Sequence, residues 1–165
     1  MYATLPVNRR NQLICVHSML GFVVLVGGAF VVAGFLPPPS PDQSTHALAA
    51  IFRNHLHVRV AAAMFFFGSC LFVVPCSAIT TQMRRIEGPN HVLANLQIVT
   101  AAIGVLAIQI PAAIWLAVSY RHGIPDLLVA TLNDLAWFFL LGAVGSAVVQ
   151  NLAIAICVLG SDGVV

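Results

Sequence analysis

The sequence predicts an all-α fold, an integral membrane four-helix bundle with a short amphipathic interfacial helix in the first external loop. Three observations predict it. Of the 165 residues, 60% are hydrophobic and 7% charged, whereas a soluble globular domain carries about 45–50% apolar and about 25% charged residues. Mean hydropathy is +0.98. The apolar residues also gather into four segments of membrane length, at about 13–36, 58–81, 92–119 and 132–159. This composition excludes a water-soluble domain, a disordered chain and a nucleic-acid binder. It makes residues 1–165 a single transmembrane domain whose first expected partner is the lipid bilayer.

A 24-residue helix rises roughly 36 Å, enough to cross a hydrocarbon core of about 30 Å with some tilt. Each segment must be helical, because lipid leaves no other way to satisfy every backbone N–H and C=O. In the first span, Met19–Leu36 is 18 residues without a polar side chain. Arg9 and Arg10 precede it as they would a signal peptide, but an h-region spans only about 7–15 residues, so a retained helix is expected. Pro37-Pro38-Pro39 is expected to stop it. In the loop that follows, Ser40 reads as an N-cap, Pro41 as the first helical residue and Gln43 as the partner in a capping box, giving an interfacial helix over about 41–56. On its wheel Gln43, His46, Arg53 and His57 share one face, and Leu48, Ile51, Phe52 and His55 the other.

Pro75 and Pro111 lie well inside spans two and three, where each removes a backbone donor and predicts a kink. Between these spans Gly88-Pro89-Asn90 signals a tight turn, so the two are antiparallel neighbours. Arg84, Arg85 and Glu87 beside the turn read as a solvated anchor. The arginines set the orientation. With both termini in the cytoplasm, Arg9, Arg10, Arg84 and Arg85 lie inside, and Arg53, Arg59 and Arg121 outside. The positive-inside rule favours this N-in, C-in arrangement by one charge.

Ionisable and amide side chains at membrane depth are costly, so they are the candidate site residues. The outer group is His55, Arg59, Asn133, Asp134 and Trp137, with Arg59 and Asp134 expected to pair between the starts of spans two and four. The inner group is His17, Gln82, Asn95, Gln97, Gln150 and Asn151, expected to join helices through amide contacts. Gln109, two residues before Pro111, is expected to fill the hydrogen-bonding gap left by the proline. Cys15, Cys70, Cys76 and Cys157 read as buried, inert thiols. Gly21 and Gly28 in span one, and the Gly142/Ser146 step in span four, predict close helix approach and association.

No metal site and no cofactor are expected. His55 and His57 are about 200° apart on a helix and cannot share an ion. A bis-His haem needs imidazoles facing each other inside the bundle, and His17 is the lone histidine within a span. Paired redox cysteines, a di-iron histidine cluster, phosphate-cradling glycine loops and nucleophile elbows are missing. No carboxylate lies near the middle of any span, which argues against a proton-coupled pump.

Two stretches carry resemblances. Phe52-Arg53-Asn54-His55 is similar to the first-loop motif of the four-helix membrane glutathione and eicosanoid enzymes, but the glutamates and the following asparagine of that family are missing. From about Arg59 to Ala155 the chain resembles a group of uncharacterised bacterial polytopic membrane proteins. The likeness rests on Gln82-Met83-Arg84-Arg85-Ile86-Glu87-Gly88, Leu132-Asn133-Asp134-Leu135-Ala136-Trp137 and Val149-Gln150-Asn151-Leu152-Ala153-Ile154. It implies a bacterial inner-membrane location and brings no catalytic roles. Members of that group continue past the fourth span with two more helices, whereas this chain stops at Gly160-Ser161-Asp162-Gly163-Val164-Val165, as expected of a short variant or a truncated form. The expected function is a non-catalytic accessory or scaffold subunit, homo-oligomeric or packed against other membrane proteins. The alternative is a transporter or membrane enzyme that handles a small molecule at the outer Arg/Asp/His group.

Overall fold

Glycine, three residues ahead of the prolines, ends the first long helix. The computed structural model describes residues 7–40, 42–53 and 56–160. In it α1 (Val7–Phe22) runs through a π turn (Val23–Gly27) into α2 (Gly28–Ala33). Gly34 then adopts φ +70°, a left-handed conformation open to glycine at no steric cost. Its N–H reaches the Val31 carbonyl (3.1 Å) and that of Phe35 reaches Phe30 (3.0 Å), the back-reaching bonds of a Schellman-type helix end. The expected stop at Pro37 is therefore too late, and the turn at Gly34 swings Phe35 into the core, where it is 1% exposed.

The helix expected over 41–56 is shorter. It is α3 (Thr45–Phe52), and Ser44 caps it by accepting from the Ala47 N–H at 3.3 Å. Ser40, the expected cap, accepts instead from the Asp42 N–H in a local turn, a bond that competes with helix formation. Pro41 lies outside the described residues. Leu48 and Phe52 are buried as the wheel predicted, and Ala49 with them, but they join one core cluster with Trp115, Val118 and Val129. The apolar face of α3 packs on protein.

The second long helix is α4 (Leu56–Cys70) followed by α5 (Val73–Glu87), with a break at Leu71-Phe72. Pro75 has no N–H to give the Leu71 carbonyl. That carbonyl accepts from Val74 at 3.3 Å, and the N–H groups of Leu71 and Phe72 reach back only three residues, to Gly68 and Ser69. The expected distortion at Pro75 is present. Pro111, by contrast, lies inside α6 (Val92–Tyr120), which continues through it.

Glu87 is more than a solvated anchor. After the 3-10 turn Gly88–Asn90 its two carboxylate oxygens accept from the N–H groups of Leu93 and Ala94, each at 2.7 Å. The first N–H groups of a helix have no internal partner and carry a partial positive charge, so this carboxylate caps α6. The last helix, α7, runs from Asp126 to Leu159.

Four helical stretches, Arg9–Ala33, Leu56–Asn90, Val92–Tyr120 and Asp126–Leu159, are long and apolar enough to cross a membrane. The helix α6 is central, packing on α7, α4 and α5; α2 packs on α4, α1 on α5, and α3 on α7. The main core lies at the end that carries α3. A smaller cluster of Met83, Ala94, Ala153 and Cys157 lies near the Gly88 hairpin at the opposite end.

Candidate functional site

An aromatic knot organises the α3 end. Trp115 of α6 lies 5.0 Å from Phe35, 5.6 Å from Phe65 and 5.6 Å from Trp137, between ring centroids. Phe30 stands edge-on to Phe65 at 4.6 Å. Tilted and edge-to-face arrangements at these separations suit the ring quadrupoles. Asn133 is part of this knot: 3% exposed, it accepts at Oδ1 from the Trp115 indole N–H at 3.2 Å. Its role is to satisfy a buried donor, which would otherwise carry a desolvation cost of about 1–3 kcal/mol.

The expected pairing of Arg59 with Asp134 is not formed. The Arg59 Nε donates to the Ser119 carbonyl at 2.8 Å, and its guanidinium lies 6.0 Å from the Tyr120 ring centroid. Ser119 and Tyr120 end α6, so Arg59 caps the C-terminus of that helix, where unsatisfied carbonyls attract a cation. Because α6 stands between α4 and α7, a side chain on α4 meets α6 first. The ion pairs among the described residues join α3 to the start of α7. His46 Nδ1 is 2.9 Å from Asp126 Oδ2, and Arg53 contacts the other oxygen of Asp126. The polar face of α3 was legible; its partner, Asp126, was missed, although it opens the last helix next to Pro125. His55 and Asn54 lie outside the described residues, so the expected role of His55 is not placed.

Asp134 faces a separate cavity. A groove of about 450 Å³ runs between residues 38–40 and 43–45 on one side and α7 on the other. Ser40, Gln43 and Asp134 supply polar atoms, and Trp137, Phe138 and Leu141 supply apolar wall. Of the five outer candidates, Asn133, Asp134 and Trp137 line this groove and Arg59 does not.

The inner group does not form one cluster. Gln97 and Gln150 are buried, at 0% and 6% exposure. The Thr80 hydroxyl lies between the Cys76 carbonyl oxygen (2.8 Å) and Gln97 Oε1, and Gln150 Nε2 donates toward Cys76 Sγ at 3.3 Å. This knot joins α5, α6 and α7 by polar contacts. Gln97 Nε2 is buried with no partner among the described residues. Asn95 accepts from Arg84 (3.1 Å) and Gln82 from Arg85 (3.4 Å) at the surface. His17 and Asn151 bond to carbonyls one turn back on their own helices, Leu13 and Ala147. Helix rotation, which composition does not report, separates them.

Two further expectations are corrected. The Gln109 amide does not fill the gap at Pro111; it reaches across to α4, toward the Phe66 carbonyl at 3.4 Å and Cys70 Sγ at 3.1 Å. Cys70 is exposed rather than buried, and Cys15 is intermediate, while Cys76 and Cys157 are buried. Among the described residues no group of three His, Cys, Asp or Glu side chains is placed to hold a metal ion. No family model, curated protein or solved structure matches the chain.

Proposed function

We propose that this chain is an integral membrane protein that works by packing against other membrane-spanning chains, as an accessory or scaffold subunit. The observation that carries the reading is a groove on the outward side of α6 and α7, about 420 Å³, with Gly142 among its lining residues. Its walls are apolar, among them Ile103, Leu106, Ile110, Leu135 and Phe139. A Cβ added at Gly142 meets nothing within 4 Å, so this glycine is not needed for close approach inside the chain. Glycine on an outward face lets a neighbouring backbone come near and gain dispersion contacts, the main attraction between helices in lipid. Ser146, the other half of the small step, faces inward, with its Oγ 3.0 Å from a Cβ built on Gly104.

The glycines of the first span support this division. A Cβ on Gly21 would lie 2.9 Å from Leu71 Cδ1, and one on Gly28 would lie 3.5 Å from Met64 Cε. Their face packs within the chain, which supports placing the association surface at Gly142 instead. The test is native mass spectrometry of protein extracted gently from its own membrane. The parent is expected to retain partner chains, either further copies or other subunits. Gly142→Leu is expected to lose them while its unfolding midpoint stays unchanged. Equal association by parent and variant, or a groove occupied by lipid alone, would overturn the reading. A second reading, small-molecule handling at the α3 end, is favoured by the amphipathic groove beside Asp134.

A further inference from the structure

We propose that the groove beside Asp134 binds a lipophilic monocation, an ammonium headgroup carried on an alkyl chain. The inference deepens the second reading and rests on residence in a bilayer; it is independent of the groove at Gly142. Asp134 lies eight residues past the first residue of α7, roughly 12 Å along the helix axis. Its carboxylate has no ion-pair or hydrogen-bond partner among the described residues, where Asp126 holds both His46 and Arg53. It is also the one charged residue among those lining the groove. Asp134 is exposed beside the apolar wall of the groove, and in a bilayer an unpaired carboxylate there is costly unless a cation reaches it.

The rest of the lining suits the rest of such a ligand. Trp137, one turn deeper, presents an aromatic wall, and indole faces attract quaternary ammonium groups. Ser40 and Gln43 line the polar side. Beyond them Phe138 and Leu141 are 69% and 65% exposed, so the deep side of the groove opens toward lipid. From Asp134 to Leu141 is seven residues, roughly 10 Å, over which an alkyl chain lies against apolar side chains. A zwitterionic phospholipid fits less well, because its phosphate would meet Asp134 and no cation in the lining. The volume lies within the range of ligand cavities, about 300–1,000 Å³.

The experiment uses the full chain in a neutral maltoside detergent, titrated with dodecyltrimethylammonium below its micellar concentration and followed by tryptophan emission. A saturable change is expected, and Asp134→Asn is expected to weaken it tenfold or more while Asp134→Glu restores it. Thr131→Lys, which places a tethered ammonium three residues from Asp134 on an exposed position, is expected to abolish the change even if Asp134→Asn folds poorly. Laurate and dodecylphosphocholine are expected to give no saturable signal. A signal that does not saturate, or that survives both Asp134→Asn and Thr131→Lys, would overturn the proposal. So would equal binding of laurate or dodecylphosphocholine. Recovery of the chain with membranes is scored separately, so failure of bilayer residence is told apart from failure of the groove. Retention of partner chains by Asp134→Asn would likewise leave the packing reading standing.

Discussion

Arg59 and Asp134 show what decides the partner of a charge near a membrane boundary. Similar depth suggested that they would pair, but the carbonyls that end α6 present a nearer and unsatisfied acceptor. The Arg59 Nε bond to Ser119 O, at 2.8 Å, meets both the hydrogen-bond and the dipole demand at that helix end. Arg59→Ala is expected to lower unfolding free energy by about 1.5 kcal/mol, the lower end for a hydrogen bond to a charged group, because the side chain is partly exposed. A double-mutant cycle of Arg59→Ala with Asp134→Ala, read by unfolding in detergent, is expected to show no coupling. The same cycle on Arg53 and Asp126 is expected to show coupling, which high salt reduces. Coupling between Arg59 and Asp134 would mean that the helix-end role is wrong.

The helices themselves are shaped by a few local exceptions. Pro75 breaks the second span through backbone chemistry alone, and that effect was legible in the sequence. Gly68 acts through its neighbour. Near this break, the π turn at Val23–Gly27 brings Leu25 so close that a Cβ on Gly68 would lie 2.7 Å from Leu25 Cβ. The clashing atom is next to the backbone and cannot rotate away, so the helices must separate. Gly68→Ala is expected to destabilise the protein by about 1–3 kcal/mol, the usual cost of overpacking. Gly28→Ala, whose added Cβ meets only Met64 Cε at 3.5 Å, is expected to change the unfolding midpoint far less. Equal midpoints for the two variants would show that the π turn does not hold α4 at this distance. In α3 the alternation of faces was readable, but which surface buried the apolar face depended on the ring cluster beneath it.

For the whole molecule, four long apolar helices place the start of the first and the end of the last on one side of any membrane they cross. Arg53 and Arg121 then fall at the α3 end, and Arg84 and Arg85 at the hairpin end. Reporter fusions after Arg53, Arg85 and Arg121 are expected to place Arg85 in the cytoplasm and the other two outside, following the arginine balance. A reversed pattern would overturn the orientation and leave the spans intact. Arg53 and Arg85 on the same side would overturn the second span itself. The larger core lies at the α3 end, where the aromatic knot joins α2, α4, α6 and α7. At the hairpin end the core is small, and the Gln97–Thr80 and Gln150–Cys76 contacts add polar links between helices.

By itself the sequence determined the four helical segments, the Gly88 hairpin, the distortion at Pro75 and the two faces of α3. Each follows from properties of one stretch of chain: its length, its apolar period, a missing N–H or a glycine at a turn. Tertiary structure alone decided that Arg59 caps α6 and Glu87 opens it, that Gly142 faces out while Ser146 faces in, and that Asp134 lines a groove. Those outcomes depend on how far each helix is rotated and slid against its neighbours. Close packing of small residues and rings sets that rotation, and no single segment contains it.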